Sequence, residues 1–291
     1  MYIRKYSIRR NFEYNFALTR DISPNINKGL RLGGNDILGS ITTSDIINLD
    51  YAIQQKDVYK DILKTLGISI LNIDSDMLPD SCFIEDTMVI NNDNVCITTP
   101  GAQSRRLEIN RITDTIKKLN RFKIVNEMKN DINATLDGGD VLFTGSEFFV
   151  GINNSRTNIE GLRSLSNTFP TFKVTPIDLN PFKTKVLHLK SVMTMFGNNN
   201  IIVGGHIGLE IGKKIETLSL NKYQFLHVPD IGAANVIWLN DSLITRSMKE
   251  FPNSIDLIKE RVGKGKVIEV NMSELSKLDG ALSCCSVLCN K

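Results

Sequence analysis

One pattern returns along this chain and limits what it can fold into: an apolar run, a short polar turn, and a second apolar run. It appears as CFIEDTMVI-NNDN-VCITT from Cys82 and as VLF-TGSE-FFVGI from Val141. It returns as VMTMFG-NNN-IIVGG from Val192 and as NVIWL-ND-SLIT from Asn235. The turns are rich in Asn, Asp and Gly, the residues that tight hairpin loops demand. A fifth copy is expected from SCCSVLC at the C-terminus, paired with EYNFALT near the N-terminus. The copies start roughly 43–59 residues apart, close to the period of repeat architectures.

Between the hairpins lie stretches of helical periodicity. Ser44 to Leu66 places Ile46, Ile47, Tyr51, Ile53, Val58, Ile62 and Leu63 near a 3.6-residue period, with Ser44 as the expected N-cap and Gly67 as the C-cap. Arg105 to Leu119, Asn158 to Phe169, Leu209 to Leu220 and Ser254 to Val262 read as further helices. Most precede another apolar strand, such as FKIVNEM, FKVTPI or KVIEV. The unit is therefore hairpin, helix, strand, repeated about five times. Units of this kind can close into a ring of small sheets around a central channel. No linker rich in Pro, Gly or Ser divides the chain, so residues 12–291 are read as a single α/β domain after an N-terminal extension, 1–11.

Composition narrows the function classes. A formal net charge of +3, evenly spread, does not make a nucleic-acid footprint. No apolar run reaches the roughly 18–20 residues that span a bilayer, so no membrane partner is expected. The five cysteines form no C-x-x-C pair and lie far in sequence from the three histidines, which suggests neither a zinc site nor a disulfide framework. No metal or cofactor is expected. The reading is a cytoplasmic protein with reduced thiols, monomer or homodimer. The basic, acid-free opening MYIRKYSIRR keeps mitochondrial import as the alternative.

Polar residues that interrupt apolar strands need partners, because burying them unpaired costs several kcal/mol. Four clusters of this kind stand beside hairpins. They are PDSCFIEDT with Asp80, Glu85 and Asp86; LDGGDVLF with Asp137 and Asp140; VLHLKSV with His188; and LDGALSCCSVL with Asp279 and Cys284. Arg105 and Arg106 follow the first hairpin and Arg156 the second. Acids converging in a low-dielectric channel repel one another unless a cation joins them. A planar guanidinium is the cation that best matches paired carboxylates, and arginines opposite would hold a carboxylate. Together they describe a pocket for a small zwitterionic guanidino amino acid, with a thiol as nucleophile and a histidine as acid and base. Each group has a plainer reading by itself: a lone cysteine is usually a small buried hydrophobe, a lone histidine a satisfied core residue, and GGD a bulge.

The stretches PDSCFIEDT, PGAQSRR, LDGGDVLFTGSEFFVG, RTN, LHLKS, VPDIGAANVIWLN, MSEL and DGALSCCSVL together resemble the dimethylarginine dimethylaminohydrolases, within the guanidino-group-modifying superfamily. The resemblance runs from about residue 12 to the C-terminus. It implies a five-bladed α/β propeller of pseudo-fivefold repeats, the pentein fold. It implies hydrolysis of asymmetric dimethylarginine and monomethylarginine to citrulline and a methylated amine, without a cofactor. Carried over by motif, Cys284 matches the nucleophile, His188 the proton donor and Asp137 the acid that orients it. Asp80, Glu85 and Asp86 match the acids on the substrate nitrogens, and Arg105 and Arg156 the arginines on its carboxylate. Leu278 matches a backbone carbonyl for the α-amine, with Asp279 beside it, and Leu30 a lid-loop leucine. The loop GINNSRTN carries one extra residue, so Arg156 is placed by its RTN motif and not by count. The rival readings are an arginine deiminase, an amidinotransferase, and a non-catalytic guanidino-ligand sensor.

Overall fold

The computed structural model describes residues 12–31 and 46–290. The expected extension, 1–11, and the expected N-cap Ser44 lie outside the described residues. Four of the anticipated hairpins are antiparallel pairs: β3 (Met88–Asn91) with β4 (Asn94–Ile97), β6 (Val141–Phe143) with β7 (Glu147–Ile152), β9 (Met193–Met195) with β10 (Asn200–Gly204), and β12 (Ile237–Leu239) with β13 (Ser242–Arg246). Their turns carry left-handed residues where the sequence offers Asn, Asp or Gly: Asn92, Gly145, Asn199, and Asn240 with Asp241. The fifth pair joins the chain ends, with β1 (Phe16–Arg20) antiparallel to β15 (Ser286–Cys289) and Phe16 opposite Cys289.

Each hairpin gains a third, parallel strand after a helix crossover. These strands are β2 (Ser69–Ile73), β5 (Lys123–Glu127), β8 (Lys173–Asp178), β11 (Gln224–Val228) and β14 (Val267–Val270). The crossovers are α1 (Leu49–Thr65), α2 (Glu108–Leu119), α3 (Ile159–Thr168), α4 (Gly205–Leu218) and α5 (Pro252–Val262). Five three-stranded sheets result, each with the second hairpin strand in the middle.

Helix ends follow local chemistry. Asn48, not Ser44, caps α1, its side chain accepting from Tyr51 N–H. At the other end Gly67, at φ +86°, lets its own N–H reach Lys64 O and Ile68 N–H reach Leu63 O. The reading from Arg105 divides into a short 3₁₀ turn at Gln103–Arg105 and α2 proper, which ends on left-handed Asn120. Helix α4 begins four residues before the expected Leu209, straight off β10, where Gly205 and Gly208 dilute the helical signal.

Five buried apolar clusters fill the seams between successive sheets, each seam holding one face of a helix. Ile109, Ile112 and Ile116 of α2 pack with Leu18 and Ile97, bridging the β1 and β4 sheets. Leu162 and Leu165 of α3 pack with Cys96 and Phe148. Ile207, Ile211 and Ile215 of α4 pack with Phe149 and Val203. Ile255 and Ile258 of α5 pack with Ile202 and Leu243. Tyr59 and Leu63 of α1 pack with Ile244 and Ala17, closing the ring. At about 1.5–3 kcal/mol for each large apolar side chain buried, these seams hold the blades together. The result is a five-bladed α/β propeller. Among the described residues no helix is long and apolar enough to cross a membrane.

The same device precedes the first strand of every hairpin: a 3₁₀ turn of three or four residues. The turns are Ile84–Thr87, Gly138–Asp140, Leu189–Ser191, Ile231–Ala234 and Ser283–Cys285. They neighbour one another around the axis and bring the polar clusters of different repeats to one centre.

Candidate active site

A small cavity lies at this centre. Its lining includes Leu30, Asp80, Asp86, Arg105, Arg156 and His188, together with Leu278, Asp279 and Cys284. Asp137 touches it through His188. Ten of the eleven site residues carried over by motif thus meet in one place, and Glu85 takes a different direction.

Cys284 occupies the 3₁₀ turn before β15. Of the five free cysteines it alone is not fully buried. Its neighbour Cys285 points into the α1 seam, its thiol set against Ala281 O at 3.5 Å. Asn235 holds the turn in place: its Oδ1 accepts from Ser283 N–H at 2.9 Å, and its Nδ2 donates to Ser283 Oγ and to Lys190 O, both at 2.9 Å. Burial pushes the Cys284 thiol well above its ordinary range, and the carboxylates of Glu85 and Asp86 push it the same way. A cation arriving in the cavity would act in the opposite sense.

His188 precedes the turn Leu189–Ser191 and is only 4% exposed. Its Nε2 lies 2.9 Å from Asp137 Oδ2 and 4.0 Å from Asp86 Oδ1. Gly139 is required beside it, since a Cβ there would stand 2.7 Å from His188 Nδ1 and 2.9 Å from Asp86 Oδ1. Burial works against the imidazolium, but Asp86, Asp140 and Asp137 outweigh it and lift the pKa from 6.5 to about 9. The histidine is therefore charged at neutral pH. Asp137 accepts in addition from Gly101 N–H at 2.8 Å, with Arg156 Nη1 at 3.6 Å.

Asp86 accepts from Gly139 N–H at 2.9 Å and pairs with Arg105 Nη1. Burial disfavours its charge, yet His188, Arg105 and the Gly139 amide hold the carboxyl well below the usual range. Asp80 is pushed upward, chiefly by burial, and its Oδ1 accepts from Leu30 N–H at 3.0 Å. Asp80 thereby ties the Leu30 strand of chain to the cavity wall.

The two arginines differ in how far the protein already occupies them. Arg105 chelates Glu108 at 3.0 and 2.9 Å and donates to Phe83 O at 2.9 Å, besides pairing with Asp86. The side chain of Arg156 is 12% exposed, and its Nη1 stands at a longer 3.6 Å from Asp137 Oδ2.

Glu85 lies in the same 3₁₀ turn as Asp86, and successive residues of such a turn point about 120° apart. Its carboxylate pairs with Lys190 and accepts from Ser283 Oγ at 2.9 Å. It faces a second, larger cavity of the ring whose walls mix apolar side chains, including Met88, Phe148, Met195 and Trp238, with Lys190, Thr194 and Ser283. The expected trio of acids is thus divided, with Asp80 and Asp86 on the reactive cavity and Glu85 joined to the turn that carries Cys284.

Sequence reasoning passed over Lys190, Ser283, Asn235 and Glu108. Lys190 is in the LHLKS stretch and Ser283 directly precedes Cys284, so motif neighbourhood could have found both. Among the described residues, the one cluster of carboxylate and imidazole close enough to share a metal ion is Asp86, Asp137 and His188. Arg105 and the His188 imidazolium already neutralise those acids, which makes the set an ion-paired network.

The sequence profile of the family described as "N,N dimethylarginine dimethylhydrolase, eukaryotic" matches residues 34–287. The N(G),N(G)-dimethylarginine dimethylaminohydrolase of Streptomyces coelicolor is 33% identical over 276 residues, covering 93% of this chain and 95% of that protein. The enzyme of the same name from Pseudomonas aeruginosa is 28% identical over 264 residues, covering 88% and 96%. A crystal structure of the Pseudomonas enzyme, with a cysteine replaced by serine and citrulline bound, is similar with a TM-score of 0.77 and 25% identity. The match spans 95% of this chain and all of that one.

Proposed function

The chain belongs to the dimethylarginine dimethylaminohydrolase family, and on that premise we propose that Cys284 and His188 hydrolyse N-methylated arginines to citrulline and methylamine or dimethylamine. We read residues 12–291 as one catalytic domain. The observation that carries the mechanism is the meeting of a half-buried thiol, a charged imidazole and Asp86 in one cavity that Arg156 also lines.

The guanidinium carbon is a poor electrophile because its charge is spread over three nitrogens. Asp86 and Asp80 hold the group in plane against Cys284, and Arg156 takes the carboxylate. Leu278 and Asp279 stand at the α-amine, and Leu30 covers the ligand. Binding the cation favours the thiolate, and the thiol proton leaves to water. The thiolate adds to the guanidinium carbon. His188, charged and oriented by Asp137, gives its proton to the departing amine as the C–N bond breaks. A thiouronium on Cys284 remains. Neutral His188 then takes a proton from water as its oxygen adds to the same carbon; the C–S bond breaks, the new hydroxyl's proton passes to the departing thiolate, and citrulline leaves with the thiol restored. One hard step becomes two easier ones.

Support for citrulline as product comes from the Pseudomonas relative, whose structure holds it. The direct test is to quench turnover with acid and locate the adduct by peptide mass spectrometry. A thiouronium on Cys284 is expected. Turnover with no adduct, or with one on Cys285, contradicts the mechanism.

A further inference from the structure

Asp140 belongs to the GGD stretch, yet the proposed chemistry leaves it unused. It is fully buried, and so is Asn153, which lies at the same open end of the hairpin, just after β7. Both reach across to the segment that carries His188. Asn153 Nδ2 donates to Leu187 O at 3.1 Å, and Asp140 Oδ1 accepts from Leu189 N–H at 3.0 Å. His188 is therefore gripped through the residue on either side of it.

The other ends of the same two side chains hold the Arg156 loop. Asn153 Oδ1 accepts from Arg156 N–H at 2.8 Å, and also from Ser155 N–H at 3.2 Å. Asp140 Oδ2 accepts from Thr157 Oγ1 at 2.6 Å, and that hydroxyl in turn accepts from Asp137 N–H at 3.1 Å. Two buried side chains thus each bridge the loop of the carboxylate-reading arginine and the segment of the proton-transferring histidine. Breaking either bridge leaves buried donors or acceptors unpaired, so the two segments are held as one body.

We propose that Asn153 and Asp140 are positioning residues that transmit the anchoring of the substrate carboxylate at Arg156 to the placement of His188. The proposal rests on the roles assigned to His188 and Arg156. Binding energy gained far from the reacting carbon is then used to orient the acid, which raises kcat as well as affinity.

A double-mutant cycle tests this, with kcat and KM measured on monomethylarginine. Asn153→Ala should lower kcat about tenfold to a hundredfold, the range that small misplacements of a catalytic group produce. In an Arg156→Ala background the same substitution should cost kcat no more than about threefold, since the anchor it transmits is already gone. Asp140→Asn keeps an acceptor for Leu189 N–H and should restore most of the kcat that Asp140→Ala loses. That pair carries the test if Asn153→Ala does not fold. Full additivity of Asn153→Ala with Arg156→Ala overturns the coupling, as does an Asn153→Ala effect confined to KM. If Arg156→Ala leaves KM unchanged, the reading of Arg156 itself fails, and the coupling with it.

Discussion

Asp137 Oδ2 and His188 Nε2 stand 2.9 Å apart in a site where both side chains are buried. With Asp86 Oδ1 at 4.0 Å and Asp140 also contributing, the imidazole is a cation before any substrate arrives. An acid that must protonate a departing amine is thus loaded at neutral pH.

The charge on His188 is directly measurable. Folding raises its pKa from 6.5 to about 9, so the native state keeps a proton that the unfolded chain releases. The associated stabilisation is whole below about pH 6.5 and is lost as the pH rises through about 9. With only three histidines in the chain, the imidazole resonances can be assigned and titrated by NMR. His188 should still be protonated at pH 8; a midpoint near 6.5 would show that the carboxylates do not outweigh burial.

Cys284 and Cys285 are sequence neighbours with opposite surroundings, and substitution should separate them. Cys284→Ser should abolish turnover while the melting temperature stays close to that of the parent. The hydroxyl is a far weaker nucleophile of similar volume. Cys285→Ser should keep most activity but lose stability, because a hydroxyl enters an apolar seam. Steady-state kinetics with thermal melts on both variants decides the matter. An active Cys284→Ser enzyme would reassign the nucleophile.

The two arginines should fail in different ways. Arg156→Ala removes a charge-assisted contact worth about 1.5–3 kcal/mol, so KM for methylated arginines should rise roughly tenfold to a hundredfold. Simple alkylguanidines, lacking the carboxylate, should be affected much less. Arg105→Ala leaves Glu108 and Asp86 buried without their partner, a change of the kind that costs about 3–5 kcal/mol of stability. Denaturant unfolding of both variants, set beside their kinetics, should show the stability loss in Arg105→Ala alone.

Much of this architecture was legible in sequence because each level repeats the same signal. Asn and Gly at the hairpin tips, a helical stripe after each hairpin and an apolar strand after each helix fix the blade, and β1 with β15 supplies the closure. The reacting groups could be found because each lies in or beside the 3₁₀ turn before a hairpin, where a polar residue interrupts an apolar run. The direction of neighbouring side chains was not legible. Glu85 and Asp86 differ by one step of a 3₁₀ turn, and that step sends Glu85 to Lys190 and Ser283. Arg105 looks like a free anion binder until α2 places Glu108 against it. Asn153 and Asn235 resemble ordinary loop asparagines, since their importance lies wholly in contacts with distant segments.

The identity of the leaving amine tests the central claim most directly. Purified protein should be given asymmetric dimethylarginine, monomethylarginine and unmodified arginine at equal concentration, with citrulline and released amine identified by mass spectrometry. Citrulline should form from the first two, with dimethylamine and methylamine respectively, and arginine should be a poor substrate. Ammonia released from arginine, at a catalytic efficiency above that for both methylated forms, would contradict the account and make this chain a deiminase.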